Sequence, residues 1–152
     1  MAQPNIHSFY RIWFTVIDPL VLVVSAVGCV VSPAALLDGF IPATMSKPDP
    51  DHGFLFQQIA ALYLFMATIM IGVLRTSSDM KIWRTVQGGV LVVDIALLII
   101  IYVSLDHQAR LSPSKLRLQD YGNVLFTGWV AVVRGLFLAG VGVQDVTPKK
   151  SN

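Results

Sequence analysis

Four apolar stretches, each long enough to cross a lipid bilayer, alternate with polar segments along the chain. They cover residues 9–31, 54–74, 82–104 and 121–143. A helix needs about 20 mostly apolar residues to span the hydrocarbon core of a membrane, and each stretch has roughly this length. The pattern therefore predicts four transmembrane helices.

The polar segments between these stretches indicate how the helices are connected. Residues 75–81 form so short a turn that the helices on either side are expected to be antiparallel neighbours. Residues 32–53 are rich in Pro and Asp, too short for a domain but long enough to cap one end of a bundle, and their apolar residues 34–41 are expected to lie in the membrane interface. We predict one domain, residues 1–152: an all-α integral membrane four-helix bundle with antiparallel up-down-up-down topology.

Composition agrees with a membrane protein and excludes nucleic-acid binding. Of the 152 residues, 55% are hydrophobic and only 13% are charged, whereas a soluble domain carries about 25% charged residues. The formal net charge of +2 is small, and the Lys and Arg residues are scattered instead of forming a basic stripe. The expected partners are the lipid bilayer and a hydrophobic small molecule, and a homo-oligomer is compatible with the sequence.

The distribution of positive charge predicts the orientation, because cytosolic loops carry an excess of Lys and Arg. An even number of spans places both termini on one side. That side has six basic residues: Arg11, Arg75, Lys81, Arg84, Lys149 and Lys150. The other side has four: Lys47, Arg110, Lys115 and Arg117. We therefore expect both termini in the cytosol of a multi-pass protein, with the endoplasmic reticulum as its membrane.

Three charged residues lie well inside the predicted spans: Asp18, Asp94 and Arg134. A charge at the centre of a bilayer costs at least about 2.5–3.5 kcal/mol, so such residues usually face the bundle interior and find partners. At about 1.5 Å per residue, all three lie roughly 10–15 Å from the cytosolic end. The sequence predicts that they meet, with Arg134 between the two carboxyls.

Such a cluster has a definite chemistry. Two neighbouring carboxyls in a dry site do not both ionise easily, so one ionised and one protonated Asp would supply a general base and a general acid together. The competing interpretation is that Asp18, Asp94 and Arg134 simply lock three helices together. Asp18 also precedes Pro19, which is typical of a helix kink.

A second polar set is expected to position substrate or water near the cluster. Gln57 and Gln58 begin the second span and Asn123 begins the fourth, while Tyr63 and Trp129 lie deeper. The alternative for the amides is hydrogen bonding between helices, which is common in membranes, and for the two aromatic residues it is packing.

No metal or cofactor is expected. His7, His52 and His107 lie at span ends or in loops, and the sequence contains no Glu and a single Cys. The glycines do not form a phosphate-binding loop, because no Gly-rich turn with Lys and Ser or Thr opens a helix.

Four stretches carry a resemblance to a known family. They are Phe9-Tyr10-Arg11 with Asp18-Pro19, residues 58–64 (QIAALYL), Trp83-Arg84-Thr85 with Val93-Asp94, and Asp120-Tyr121-Gly122-Asn123 with Arg134. Together they resemble a fungal family of small four-span membrane proteins, some of which are encoded in gene clusters for polyketides and meroterpenoids. The resemblance covers nearly the whole chain.

Among proteins of this kind, the chain is similar to the membrane hydrolases of fungal polyene-pyrone pathways, such as those that make aurovertin and citreoviridin. This similarity implies opening of polyketide epoxides by water or by an internal hydroxyl. Epoxide opening requires an acid at the epoxide oxygen and a base at the nucleophile, which Asp18, Asp94 and Arg134 are able to supply. Limonene-type epoxide hydrolases, which are soluble, use an analogous Asp/Arg/Asp arrangement on an unrelated fold.

Three other functions remain open at this point. Small membrane bundles also cyclise or isomerise terpenoids and meroterpenoids, and there an acidic Asp would protonate an alkene or epoxide. A small proton-coupled transporter would use a membrane carboxylate, although two carboxylates and an Arg per chain fit it poorly. A non-enzymatic membrane subunit would need none of this chemistry.

Overall fold

The computed structural model describes residues 5–46 and 49–144 and is all-α apart from one pair of two-residue strands. In chain order the elements are β1 (Asn5–Ile6), α1 (Ser8–Ile12), a π-helical segment (Trp13–Ile17), α2 (Asp18–Val31), α3 (Pro33–Asp38), a 3₁₀ turn (Pro50–His52), α4 (Gly53–Thr76), α5 (Met80–His107), a second 3₁₀ turn (Pro113–Lys115), α6 (Leu118–Leu138) and β2 (Val143–Gln144). The predicted fold class is confirmed.

Four helical segments are long and apolar enough to cross a membrane: Ser8–Val31, Pro50–Thr76, Met80–His107 and Leu118–Leu138. Large apolar side chains remain exposed on their outer faces, Leu20, Leu62, Val92 and Leu125 among them. In water such faces would be unstable, whereas lipid solvates them. The protein is therefore a multi-pass integral membrane protein.

The bundle is built from two closely packed helix pairs. α2 lies along α4, and α5 lies along α6, with a short turn between α4 and α5. Small residues Ala26 and Cys29 of α2 meet Ala60 of α4, which lets the two backbones approach closely. β1 pairs antiparallel with β2, so both described ends of the chain lie at the same end of the bundle.

The first span is interrupted where Pro19 follows Asp18. Proline has no N–H, so it cannot donate to the carbonyl four residues earlier, which belongs to Thr15. The preceding residues adopt the wider π-helical form, and the Asp18 N–H reaches back to the Trp13 carbonyl. Arg75 of α4 donates from Nη2 to the Thr15 carbonyl at 2.9 Å, which satisfies the group that the proline leaves free. The expected helix distortion at this proline is therefore present.

An aromatic cluster fills the bundle at the end that holds β1 and β2. Phe14 and Phe137 are fully buried, with ring centroids 5.3 Å apart in an edge-to-face arrangement. Tyr10 stacks on Phe14, and Trp83 of α5 packs against Phe137. Lipid tails are as apolar as these rings, so close packing, and not exclusion from water, is what stabilises this contact.

The fourth helix ends five residues earlier than predicted, at Leu138 and not at 143. The apolar run continues, but Gly140 and Gly142 adopt φ angles of +86° and +72°, a region where helices end and side chains are strained. Hydropathy alone therefore overestimates the length of this span.

Of the basic residues used to predict orientation, Lys47, Lys149 and Lys150 lie outside the described residues.

The capping segment after α2 is partly helical. α3 covers most of the apolar stretch 34–41, and its Leu36 packs against the Ala26–Cys29–Ala60 contact. Beyond α3 the chain turns at Gly39, and Phe40, which is 39% exposed, lines a cavity between the helices. This segment therefore closes one end of the bundle, as its length suggested.

Candidate functional site

Asp18, Asp94 and Arg134 meet inside the bundle. Arg134 of α6 donates from Nη1 to the Asp94 carboxylate of α5 and from Nη2 to the Asp18 carboxylate of α2. Arg134 is 1% exposed, and each Asp is 7% exposed. The prediction that Arg134 bridges both carboxyls is confirmed as geometry.

A fourth polar side chain completes this cluster. Gln87 of α5 is fully buried, and its Oε1 accepts a hydrogen bond from Arg134 Nε at 3.1 Å. Three of the guanidinium's five N–H groups are thereby directed to three acceptors, so its plane and position are fixed. Gln87 is a positioning residue for Arg134, because its amide makes a hydrogen bond with Arg134 and none with either carboxyl.

The helices bring these side chains together for a simple reason of spacing. Gln87 and Asp94 are seven residues apart, two helical turns, and therefore share one face of α5 with buried Val90. Arg134 lies on the buried face of α6 with Val130. Each charged residue occupies the inward face because the outward face of its helix meets lipid.

The electrostatics of this cluster are unbalanced by one charge. Two ionised carboxylates around one guanidinium would leave a net charge of −1 among side chains that are nearly fully buried, which is costly. A single proton shared by Asp18 and Asp94 would make the cluster neutral. The arrangement can therefore hold one carboxylate and one carboxylic acid side by side.

The two carboxyls open onto a cavity of about 190 Å³ between α2, α4, α5 and α6. Its walls are mainly apolar. The polar side chains that line it are Asp18, Ser25, Tyr63, Asp94, Asn123, Thr127 and Arg134. An apolar cavity of about 150 Å³ can hold a benzene ring, so this one has room for one reacting ring of a substrate, with hydroxyl and amide groups beside it.

The structure brings Tyr63 and Asn123 to this cavity but not the other three predicted positioning residues. Gln57 and Gln58 are exposed on the outer face of α4. The residues of α4 that face inward are spaced alternately by four and three positions, at 56, 60, 63, 67, 70 and 74. Gln57 and Gln58 lie between the first two of these positions and therefore face outward. The expectation that they line the site is wrong.

Trp129 also lies outside the cavity. It is 52% exposed on α6, and its ring meets Trp13 edge-to-face with centroids 6.4 Å apart. One residue further along α6, Val130 faces inward, which turns Trp129 toward the lipid. The competing interpretation for Trp129, packing, is the correct one.

Residues 4–144 match a family described as a domain of unknown function, DUF7704. The chain belongs to this family. No curated protein and no solved structure matches it.

A second buried ion pair closes the bundle on the far side of the cavity. Arg110 and Asp120 are 6% and 3% exposed and form a direct pair, and Arg110 Nη1 also donates to Gln108 Oε1 at 2.7 Å. Asp120 additionally accepts from the backbone N–H of Arg117 at 2.7 Å, which caps α6. Asp120 is therefore held by structural partners at the start of α6.

The same region anchors the capping segment over the cavity. Asn123 Nδ2 donates to the Gly39 carbonyl at 2.9 Å, and Arg117 Nη1 lies 3.4 Å from Asp38 Oδ1. Gln108 Nε2 donates to the Phe40 carbonyl at 3.4 Å. These contacts hold the Phe40 side chain as one wall of the cavity. Asn123 thus both lines the cavity and fixes its cover.

Sequence reasoning missed Gln87, Phe40 and the Arg110–Asp120 pair. Gln87 could have been found, because a polar residue seven positions before Asp94 in an apolar helix shares its face. Phe40 and Arg110 lie in connecting segments, whose position depends on tertiary contacts.

Among residues 5–46 and 49–144, no group of three or more His, Cys, Asp or Glu side chains lies close enough to hold a metal ion.

Proposed function

We propose that this protein is a cofactor-independent membrane epoxide hydrolase or cyclase that opens epoxides of a hydrophobic fungal polyketide. One observation carries the proposal: the buried Arg134 holds Asp18 and Asp94 side by side on the wall of a mainly apolar cavity. A purely structural ion cluster would not need a cavity at its carboxyls.

Acid/base catalysis follows from one shared proton. The ionised carboxylate accepts a proton from water while the water oxygen bonds to one epoxide carbon. The carbon–oxygen bond at that carbon breaks, and the protonated carboxyl gives its proton to the leaving oxygen. The product is the epoxide plus one water. Proton transfer between Asp18 and Asp94 restores the starting state, and Arg134 stabilises whichever carboxyl is ionised.

The nucleophile decides between hydrolysis and cyclisation. Water gives a diol, whereas a hydroxyl of the substrate itself gives an oxygen ring by the same proton transfers. Tyr63 and Asn123 line the cavity with the carboxyls and are suited to hold that nucleophile. A cavity of about 190 Å³ accepts the reacting part of a polyene, and the rest of the molecule would lie in the surrounding lipid.

We also propose that the protein resides in the endoplasmic reticulum with both termini in the cytosol. Arg11, Arg75, Lys81 and Arg84 all lie at the bundle end that holds β1 and β2. Lys149 and Lys150, which follow in the sequence, add to this bias. A lipophilic substrate made by a secondary-metabolite pathway would reach the cavity from the membrane.

A terpenoid or meroterpenoid cyclase is the second candidate function. One feature favours it: Phe40, Tyr63 and Phe126 place three aromatic rings around the cavity, and aromatic faces stabilise carbocations. In this case the protonated Asp would add its proton to an alkene or epoxide. The substrate, more than the site, separates the two reactions.

Conversion of an epoxidised polyene pyrone in yeast microsomes, followed by mass spectrometry, tests the leading proposal. Asp94→Asn should reduce turnover about 100-fold or more, the usual contribution of a general acid or base. Asp106→Asn is the matched control, because Asp106 lies on the same helix but is exposed and outside the cavity. Equal activity of wild type and Asp94→Asn would exclude acid/base catalysis by this carboxyl. Conversion of an epoxy-terpenoid alone would favour the cyclase.

A further inference from the structure

A second pocket, of about 270 Å³, lies at the bundle end that holds β1 and β2. It is separate from the Asp18–Asp94 cavity. Its polar lining comes from Arg11 and Arg75, from Thr15 and Thr76, and from Ser77 and Ser78 of the α4–α5 turn. The hydroxyls of Thr15 and Thr76 already donate to helical carbonyls, at 2.7 and 2.6 Å. The two arginines and the two serines are therefore the donors for a ligand, and they are suited to an oxyanion.

Of the residues that the structure describes, those that line this pocket include two arginines and no Asp. Within residues 5–46 and 49–144, neither Arg11 nor Arg75 has a carboxylate within 4.0 Å. Two guanidinium groups on one pocket repel each other, and an anion between them would reduce that repulsion.

The fold fixes Arg75 in place. Its Nη2 donates to the Thr15 carbonyl, which Pro19 deprives of a helical partner. Among the hydrogen bonds of the described residues, Arg75 Nε and Nη1 have no acceptor, and Arg75 lines the pocket. The position of Arg75 is thus set by the break in the first span and not by the ligand.

The pocket lies where phospholipid headgroups would be. α1 begins there, α4 ends at Thr76 and α5 begins at Met80, all at the level where the spans leave the membrane. The apolar neighbours Ile12 and Ile82 are exposed beside the arginines and would contact acyl chains. We propose that this pocket binds the phosphate group of an anionic phospholipid, independently of the reaction at Asp18 and Asp94.

Native mass spectrometry of the full chain in detergent, with phosphatidylglycerol or phosphatidylcholine added, tests this site. One basic residue near a charged lipid changes affinity about fivefold. Wild type should therefore prefer phosphatidylglycerol, and Arg11→Gln should weaken that binding about fivefold. Binding of phosphatidylcholine, whose phosphate is offset by its choline charge, should weaken less. Arg11→Gln is the first variant because it keeps the Arg75–Thr15 contact. Arg84→Gln, an exposed arginine at the same end but outside the pocket, is the matched control.

Two results would overturn the proposal. Equal losses in Arg11→Gln and Arg84→Gln would mean that charge at this end attracts lipid without a site. Inorganic phosphate that displaces the lipid and itself binds in an Arg11-dependent manner would identify a small soluble anion as the ligand. Retention of bound phosphatidylglycerol in excess inorganic phosphate supports the phospholipid.

Discussion

Replacing Arg134 by Met removes the only cation of the buried cluster while keeping a long side chain in its place. The guanidinium is 1% exposed and donates to Asp18, Asp94 and Gln87. The replacement therefore leaves two carboxyls and one amide oxygen in the bundle interior without their donor. Because these groups are nearly fully buried, water cannot fully replace the lost donor, and the variant is destabilised.

The size of this loss depends on which effect dominates. Hydrogen bonds between membrane helices are worth about 0.6 kcal/mol each, so three lost bonds account for roughly 2 kcal/mol. Leaving a buried charge without its partner costs more, about 3–5 kcal/mol. We expect the larger value for Arg134→Met, since the uncompensated carboxyls remain.

Reversible unfolding by SDS in mixed micelles measures this free energy. The triple variant Asp18→Asn, Asp94→Asn and Arg134→Met removes the charges as well, and should regain at least about half of the loss. Arg84→Met, at an exposed position, should stay within about 0.5 kcal/mol of wild type. An Arg134→Met protein within about 1 kcal/mol of wild type, or a triple variant no more stable than the single one, would refute the reasoning.

Two further predictions concern stability in the same unfolding assay. Asp120→Ala leaves Arg110 buried without its carboxylate and should cost about 3–5 kcal/mol; a loss below about 1 kcal/mol would mean that water reaches Arg110. Gly142→Ala should cost at least about 1–2 kcal/mol because φ is +72° and the new Cβ would lie 3.1 Å from Tyr10 Cε2. Gly88→Ala, a helical position with nothing within 4 Å of the new Cβ, is the control and should not destabilise.

The sequence was sufficient to predict the four spans and the meeting of Asp18, Asp94 and Arg134. The reason is physical: lipid forbids an outward charge, so equal depth in three adjacent helices is nearly enough to predict contact. The same rule failed for Gln57 and Gln58. A Gln side chain near the end of a span can face the lipid headgroups at little cost in free energy. Its place in the sequence therefore does not show whether it faces inward or outward.

The remaining features of the site depend on tertiary contacts that no local pattern carries. Phe40 reaches the cavity only because Asn123, Arg117 and Gln108 hold the capping segment from the other side of the bundle. The Arg110–Asp120 pair joins two positions ten residues apart across a loop with a 3₁₀ turn. Loop conformations of this kind depend on contacts that form only in the folded bundle, so the local sequence does not predict them.

Turnover in isotopically labelled water tests the central claim most directly. Microsomes containing equal amounts of folded wild type, Asp18→Asn, Asp94→Asn or Asp106→Asn are given the epoxidised polyene pyrone in water enriched in heavy oxygen. The account predicts conversion by wild type and Asp106→Asn, with one labelled oxygen in each diol and none in a cyclic ether, and near-complete loss in both cluster variants. Undiminished conversion by Asp18→Asn and Asp94→Asn would contradict it.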